Sequence, residues 1–407
     1  MQTISDDKKN FTATGDPKTK TPYFTAIDGL RLLASINIVL FHMEISGGLN
    51  DLGGSPGWLF RIIKGPAFHA TAFFLLGGFI FTTKFHSKVS TFNNWSFLKK
   101  RFKELYPLHL LTTVFMTALY VYRRVGVEEL SLQNILSSLF MHLTFLWSLF
   151  PFGTLPLNRP SWALSAFFLC YLLFGPMLKW VSALTTKKSV YFYIFVASLP
   201  LIGWGMLYWI IETPQNYYFF FHIFGGIRLF EFVLGMLLAR LYLLRKEKSS
   251  NNTFILKDDL IFLGTLTLIF LNLGLQTKGN PVLTWFSYHF FMTPLYMIAL
   301  YTVALQRGVI SKFLSFKLFR KVGRASFYPY LLHIPLMSLT TLICENVFGY
   351  RRFLHSPINV TLFIVILYVG SYFYVDKVKS KRKKVCVKVT NKEEVDPVTV
   401  VTPAGLD

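Results

Sequence analysis

An arginine and a histidine are spaced so that they could act together in one membrane-embedded site. Arg31 and His42 are eleven residues apart in a mainly apolar stretch, 27–45. In a helix this spacing is about three turns, so both side chains lie on one face, roughly 16 Å apart along the axis. Ionisable side chains are costly against lipid, so this face should border a bundle interior or a polar cavity.

The two residue types suit acid–base chemistry on a bound anion. A neutral imidazole such as that of His42 can accept a proton from a hydroxyl group, and the Arg31 guanidinium can hold a phosphate or carboxylate. Asp28, one turn before Arg31, is its predicted ion partner. The spacing alone also allows a structural interpretation, in which the arginine snorkels to the headgroups and the histidine is satisfied by a neighbouring helix.

A basic cluster precedes another apolar stretch that begins near Tyr106. Its members are Lys99, Lys100, Arg101 and Lys103. Such a cluster suits the phosphates of a nucleotide such as coenzyme A, and it could equally be an anchor that fixes membrane topology.

Further ionisable residues lie within apolar stretches. Arg228 and Glu231 are three residues apart and can pair on one helix face, either as part of a site or as a structural ion pair. His222, His289 and His333 are isolated on apolar stretches, where a histidine is more often a hydrogen-bonded core residue. We therefore treat these three as secondary candidates.

The composition is that of a membrane protein. Hydrophobic residues make up 53% of the chain and charged residues 15%. The formal charge is +22, but the basic residues cluster between apolar runs, which indicates topology rather than nucleic-acid binding. The three cysteines are far apart, and we predict no metal site. No cleavable signal peptide is visible, so the first span should direct the chain to the membrane.

Ten apolar stretches are long enough to cross a bilayer, which predicts an all-α, polytopic transmembrane helix bundle. An eleventh stretch, 134–150, contains several polar residues and ends in a Pro/Gly loop. The ten predicted spans are 27–46, 66–83, 105–122, 161–182, 189–211, 217–240, 258–276, 284–306, 326–348 and 357–375.

The distribution of lysine and arginine decides between ten and eleven crossings. The loops 84–104 and 240–257 are both strongly basic, so both should be cytoplasmic. This holds only if 134–150 forms an interfacial or re-entrant helix, with ten crossings and both termini cytoplasmic. Eleven crossings with one violation of the rule is the alternative. Outside the membrane domain, 26–375, we predict a disordered tail, 1–25, and a basic tail, 376–407, against anionic lipid.

Six short segments occur in a fixed order along the spans, and together they resemble the acyltransferase-3 family of integral-membrane acyltransferases over about residues 24–375. The segments are Asp28–Ala34 with His42, Phe73–Phe79, Lys100–Pro107, Pro160–Ser165, Arg228–Gly235 and Gly323–Pro335.

The resemblance implies a reaction. An acyl-coenzyme A, with acetyl-coenzyme A expected first, would be offered from the cytoplasm as a substrate rather than a bound cofactor. Its phosphates would meet Arg101 and the nearby lysines, and its pantetheine arm would pass Arg31. His42 would deprotonate a hydroxyl of a carbohydrate or lipid-linked glycan, or carry the acyl group transiently. The matching polar positions expected to bind substrate or support the site are Trp162, Ser165, Arg228, Glu231, Ser326, Tyr330 and His333.

Three departures from the family pattern bear on activity. Glu104 stands where the family's Arg-x-x-Arg segment has its second arginine, Gly77 replaces a serine, and Phe167 stands where many members have a glutamate. Glu104 and Phe167 leave open an inactive family member. A transporter or flippase for an anionic substrate also remains open, because buried ionisable residues suit either function. The residues concerned are Arg31, His42, Arg228 and Glu231. The expected location is the cytoplasmic membrane, and the oligomeric state is not predicted.

Overall fold

Every regular element that the structure describes is helical, in agreement with the predicted all-α class. The structure is a computed structural model that describes residues 23–45, 66–124, 131–150, 155, 157–207, 219–246, 255–275, 291–350 and 353–393. The helices are α1 Thr25–Ile45, α2 Pro66–Phe85, α3 Asn94–Arg124, α4 Leu132–Leu143, α5 Trp162–Ala183, α6 Lys187–Leu207, α7 Gly225–Lys246, α8 Ile255–Leu275, α9 Thr293–Ala304, α10 Val309–Leu314, α11 Lys317–Gly323, α12 Phe327–Phe348 and α13 Pro357–Glu393.

Five helical segments within the described ranges are long and apolar enough to cross a membrane. They are Thr25–Met43, Asn94–Arg124, Arg159–Ala183, Phe327–Phe348 and Pro357–Lys377. The count of ten crossings stays a prediction, because parts of the predicted spans 189–211 and 284–306 lie outside the described residues. His289 and residues 1–22 also lie outside them.

The helix α4 is too short to cross a bilayer. Its 12 residues rise about 18 Å, against a hydrocarbon core of about 30 Å. Leu132, Leu136 and Phe140 form an exposed apolar stripe at four-residue spacing, whereas Ser138 and His142 are buried. An apolar face turned outward and a polar face turned inward favour the interfacial or re-entrant interpretation of 134–150.

The helices α2 and α7 approach each other closely enough to require glycine. A Cβ atom on Gly78 would lie 2.0 Å from the Phe232 carbonyl oxygen, and one on Gly235 would lie 2.1 Å from the Leu75 carbonyl oxygen. Both separations are far below van der Waals contact, so small residues permit this packing. The contact brings the buried polar residues of α7 against α2.

The start of α3 is joined to the middle of α5 by one side chain. Pro176 lacks an N–H group, so the Leu172 carbonyl oxygen loses its helical hydrogen bond. The Asn94 amide nitrogen donates to this oxygen at 2.8 Å, and the Asn94 amide oxygen accepts from the Gly175 N–H at 2.9 Å. The Asn94 side chain thereby replaces the hydrogen bond that α5 loses at Pro176, and it holds the start of α3 beside α5.

The last helix extends beyond the predicted membrane domain. The helix α13 continues from Pro357 to Glu393, so the basic segment 377–384 is helical. The remaining part of the predicted tail, 394–407, lies outside the described residues.

Candidate active site

A cavity of about 490 Å³ lies among α1, α2, α3, α5 and α12. Arg31 and His42 both line it, which confirms that they share one face of α1. The other polar or aromatic wall residues that matter below are Lys84, Arg101, Glu104, Trp162, Phe167, His222, Arg324, Ser326, Tyr328 and Tyr330.

Four basic side chains from four separate segments line one part of this cavity, which we call the basic end. They are Arg31, Lys84, Arg101 and Arg324. Glu104 is the carboxylate beside them. Several cations around one concavity raise the local concentration of anions and bind phosphate groups. Sequence reasoning missed Lys84 and Arg324, although Lys84 opens the basic loop 84–104 and Arg324 lies within the segment Gly323–Pro335 that contains Ser326.

Arg101 is the member of the predicted basic cluster that reaches the cavity. Its guanidinium lies 2.8 Å from the Glu104 carboxylate and over the rings of Phe81 and Phe97, at 5.1 and 5.4 Å from their centroids. Its Nε atom is buried and has no hydrogen-bond partner among the residues that the structure describes. Arg101 is therefore held against the wall by aromatic rings, with Glu104 offsetting its charge.

The other predicted cluster members, Lys99, Lys100 and Lys103, are exposed and lie outside the cavity lining. The reason is helical geometry, because positions 101 and 104 share the inward face of α3 and the three lysines point elsewhere. Lys84 and Arg324 supply the charges at the cavity that these lysines were expected to supply.

Asp28 does not line the cavity, but its carboxylate lies close to two of the arginines that do. Its buried carboxylate lies 3.9 Å from Arg31 Nη1 and 4.0 Å from Arg324 Nε, and it accepts a hydrogen bond from the Tyr23 hydroxyl. The predicted ion pair between Asp28 and Arg31 is thus present. Partial burial and the Asp28 carboxylate raise the pKa of Tyr23 to about 12, so this hydroxyl remains a donor at neutral pH.

The orientation of His42 suits proton abstraction. Its Nδ1 atom lies 2.9 Å from the Ile38 carbonyl oxygen. A carbonyl can only accept, so Nδ1 carries the proton and donates it, and the neutral imidazole has its lone pair at Nε2. The backbone of α1 therefore fixes the tautomer that a general base requires.

His333 lies directly beside His42. The two ring centroids are 4.8 Å apart, and His333 is fully buried behind the cavity lining. Its Nδ1 atom lies 3.1 Å from the Pro329 carbonyl oxygen, which fixes the same tautomer as in His42. Its Nε2 atom has no hydrogen-bond partner within the described part of the chain. The structure thus places a residue that we treated as secondary next to the candidate base.

Tyr330 and Ser326 bring polar groups of α12 to the cavity. The Tyr330 hydroxyl donates to the Pro160 carbonyl oxygen at 2.7 Å, which joins α12 to the turn before Trp162. The Ser326 hydroxyl is buried and has no hydrogen-bond partner in the described ranges, although it lies on a cavity-lining residue. Ser326 thus places a buried hydroxyl group beside the cavity.

Arg228 and Glu231 form a fully buried ion pair behind the cavity wall. Arg228 Nη1 lies 2.9 Å from both Glu231 carboxylate oxygens, and the guanidinium also donates to the His222 carbonyl oxygen at 2.7 and 3.1 Å. The guanidinium carbon lies 5.3 Å from the Trp162 ring. Neither charged residue lines the cavity, so the geometry favours the structural ion pair, which holds Trp162 and His222 in the wall.

Ser165 supports the loop after α4 rather than the cavity. Its hydroxyl donates to the Phe145 carbonyl oxygen and accepts from the Ser148 backbone N–H and hydroxyl groups at 3.1 and 2.8 Å. Of the two roles expected for Ser165, these contacts favour support of the site over substrate binding.

Two departures from the family pattern face each other across the cavity wall. A Cβ atom on Gly77 would lie 3.0 Å from the Phe167 ring, which stacks on Phe74 at a centroid distance of 4.2 Å. The phenylalanine thus fills the space that a serine side chain would enter. Gly77 and Phe167 form a complementary pair.

Comparison with known proteins gives a family match and a distant relative. A family model described as an acyltransferase domain matches residues 24–375. The curated protein acyltransferase MdmB from Streptomyces mycarofaciens is 26% identical over 224 residues, which cover 53% of this chain and 56% of the relative. The chain therefore spans about half the length of that relative. No solved structure matches the chain.

Proposed function

The chain belongs to the acyltransferase-3 family of membrane acyltransferases, and we propose that it transfers an acyl group from acyl-coenzyme A to a hydroxyl group of a carbohydrate. Acetyl is the proposed acyl group, and a cell-surface polysaccharide, a lipid-linked glycan or a related compound is the proposed acceptor. The observation that carries the proposal is the single cavity that joins four basic side chains to His42.

The basic end of the cavity suits the nucleotide part of coenzyme A. Its phosphate and diphosphate groups would pair with Arg101, Lys84 and Arg324, because guanidinium and ammonium groups bind phosphate with charge-assisted hydrogen bonds. The pantetheine arm would then extend along α1 past Arg31. The rise of α1 between Arg31 and His42, roughly 16 Å, separates the phosphates from the reacting thioester.

His42 is the proposed general base. Its Nε2 atom takes the proton of the acceptor hydroxyl while that oxygen attacks the thioester carbonyl carbon. The carbon–sulfur bond then breaks, the thiolate leaves, and the proton on His42 passes to the thiolate. The Ile38 carbonyl oxygen holds the Nδ1 proton throughout and favours the imidazolium. Transient acylation of His42 is the alternative path, and acid quenching followed by mass spectrometry of the His42 peptide distinguishes the two.

The orientation follows from charge. We propose that the basic end faces the cytoplasm and that both termini are cytoplasmic, because the strongly basic loops and the basic end of the cavity then lie on one side. The proposed location is the cytoplasmic membrane, where anionic lipid would contact the basic segment after residue 376.

The test is thiol release from acetyl-coenzyme A by the purified protein in detergent, with a cell-envelope glycan extract as acceptor. We expect release that depends on both the extract and His42, with His42→Ala inactive. Lys84→Ala should raise the KM for acetyl-coenzyme A, whereas the matched control Lys103→Ala, outside the cavity, should not. Equal effects of the two lysine variants would contradict the assignment of the donor site to the cavity.

A transporter is the function that the opposite result would favour. If the wild-type protein releases no thiol with acetyl-, succinyl- or butyryl-coenzyme A, the donor proposal fails. The cationic cavity would then indicate a flippase or transporter for an anionic substrate, or an inactive family member, and binding of acyl-coenzyme A without turnover would separate these.

A further inference from the structure

We propose that His333 is a positioning residue that stabilises the positive charge which forms on His42 when His42 acts as a base or nucleophile. This inference rests on the proposed role of His42. It assigns His333 no contact with substrate, because His333 does not line the cavity.

The first argument is the fixed tautomer of both rings. His42 donates its Nδ1 proton to Ile38, and His333 donates its Nδ1 proton to Pro329. Each neutral ring therefore presents an electron pair at Nε2, and the negative end of the His333 ring dipole lies at that atom. The ring centroids lie 4.8 Å apart at an interplanar angle of 53°, so charges on the two rings interact over a short, buried distance.

The second argument is that His333 is incompletely satisfied in the resting protein. Its Nε2 atom is buried and has no partner among the described residues. An unpaired buried acceptor is unfavourable, and a positive charge on the neighbouring ring relieves that cost. An interaction that strengthens only when His42 becomes charged lowers the barrier without tightening substrate binding.

The third argument concerns the protonation state of His42 and His333 together. Two imidazolium ions this close in a membrane interior would repel each other strongly, so the pair holds one additional proton at most. His333 must remain neutral when His42 takes the proton. His333 is fully buried, and burial away from water favours that neutral state.

The experiment compares two substitutions of almost equal volume. His333→Gln keeps a hydrogen-bond acceptor near the position of Nε2, whereas His333→Met fills the same space without one. We expect His333→Met to lower kcat about 10²-fold, within the range found for removal of one preorganised electrostatic group, with an unchanged KM for acetyl-coenzyme A. His333→Gln should retain most of the activity. An equal loss in both variants would show a purely structural role and overturn the proposal.

A second measurement needs neither acyl donor nor acceptor. Diethyl pyrocarbonate reacts with an imidazole lone pair and builds positive charge on the ring, and peptide mass spectrometry measures its rate at His42. We expect His333→Met to slow this modification about tenfold relative to the wild type and His333→Gln, as about 1.4 kcal/mol of lost charge stabilisation would do. Equal rates in all three proteins would overturn the role of His333 even if the proposed substrates are wrong. A slower His333→Met reaction with no thiol release in the wild type would instead support His333 and reject only the proposed function.

Discussion

The Arg101 guanidinium and the Glu104 carboxylate form an ion pair at 2.8 Å on the wall of the cavity. The acid stands where the family pattern has a second arginine, and it lies three residues from Arg101 on the inward face of α3. The Glu104 carboxylate thus pairs with the guanidinium group that would bind the phosphates of the proposed acyl donor.

The Glu104 carboxylate competes with the donor phosphates for Arg101, so its removal should tighten acyl-donor binding. We expect Glu104→Gln to lower the KM for acetyl-coenzyme A about two- to fivefold, since partly exposed ion pairs contribute about 0.2–1 kcal/mol. Glu104→Asp retains the charge and is the control. A higher KM in Glu104→Gln, measured by thiol release at constant ionic strength, would show that Glu104 orients Arg101 for binding instead.

The packing of Gly77 against Phe167 predicts a coupled pair of substitutions. Gly77→Ser alone should lower the free energy of unfolding by about 1–3 kcal/mol, because the new side chain meets the Phe167 ring. Phe167→Leu should relieve that overlap, so the double variant should be more stable than the sum of the single effects. Thermal unfolding in detergent measures the cycle, and strict additivity would contradict direct contact.

The hydrogen bonds of Asn94 should matter because of Pro176. We expect Asn94→Ala to destabilise the protein by about 1–3 kcal/mol, since the Leu172 carbonyl oxygen loses its donor. Replacing Pro176 by Ala restores a backbone N–H that can satisfy this oxygen. Asn94→Ala should therefore cost less in a Pro176→Ala background, and an equal cost in both backgrounds would assign the effect of Asn94 to another contact.

The raised pKa of Tyr23 predicts a stability change at high pH. The folded protein retains the Tyr23 proton up to a pKa of about 12, against 10.0 for an ordinary tyrosine. The folded state then binds more protons than the unfolded state between these values, so this stabilisation is full below pH 10 and is lost as the pH rises through 12. Unfolding temperatures of the wild type and Tyr23→Phe should converge over this range. A constant difference would contradict the Asp28 contact.

Local geometry explains which predictions from sequence succeed. The helical class, the shared face of Arg31 and His42 and the ion pair between Asp28 and Arg31 all follow from the 3.6-residue period within one helix. The interfacial or re-entrant interpretation of 134–150 comes instead from the distribution of lysine and arginine, and it stays a prediction that the short helix α4 favours. Six motif segments in order were sufficient to indicate the family.

Tertiary packing decides the composition of the site. Lys84 and Arg324 join Arg101 at the cavity although 240 positions separate the first two in the sequence, because the tertiary fold brings together α2, α3 and the end of α11. His333 comes to lie beside His42 for the same reason. Nothing in the sequence around either histidine specifies that contact, since a helix period fixes which face a residue occupies but only packing between helices fixes what that face meets.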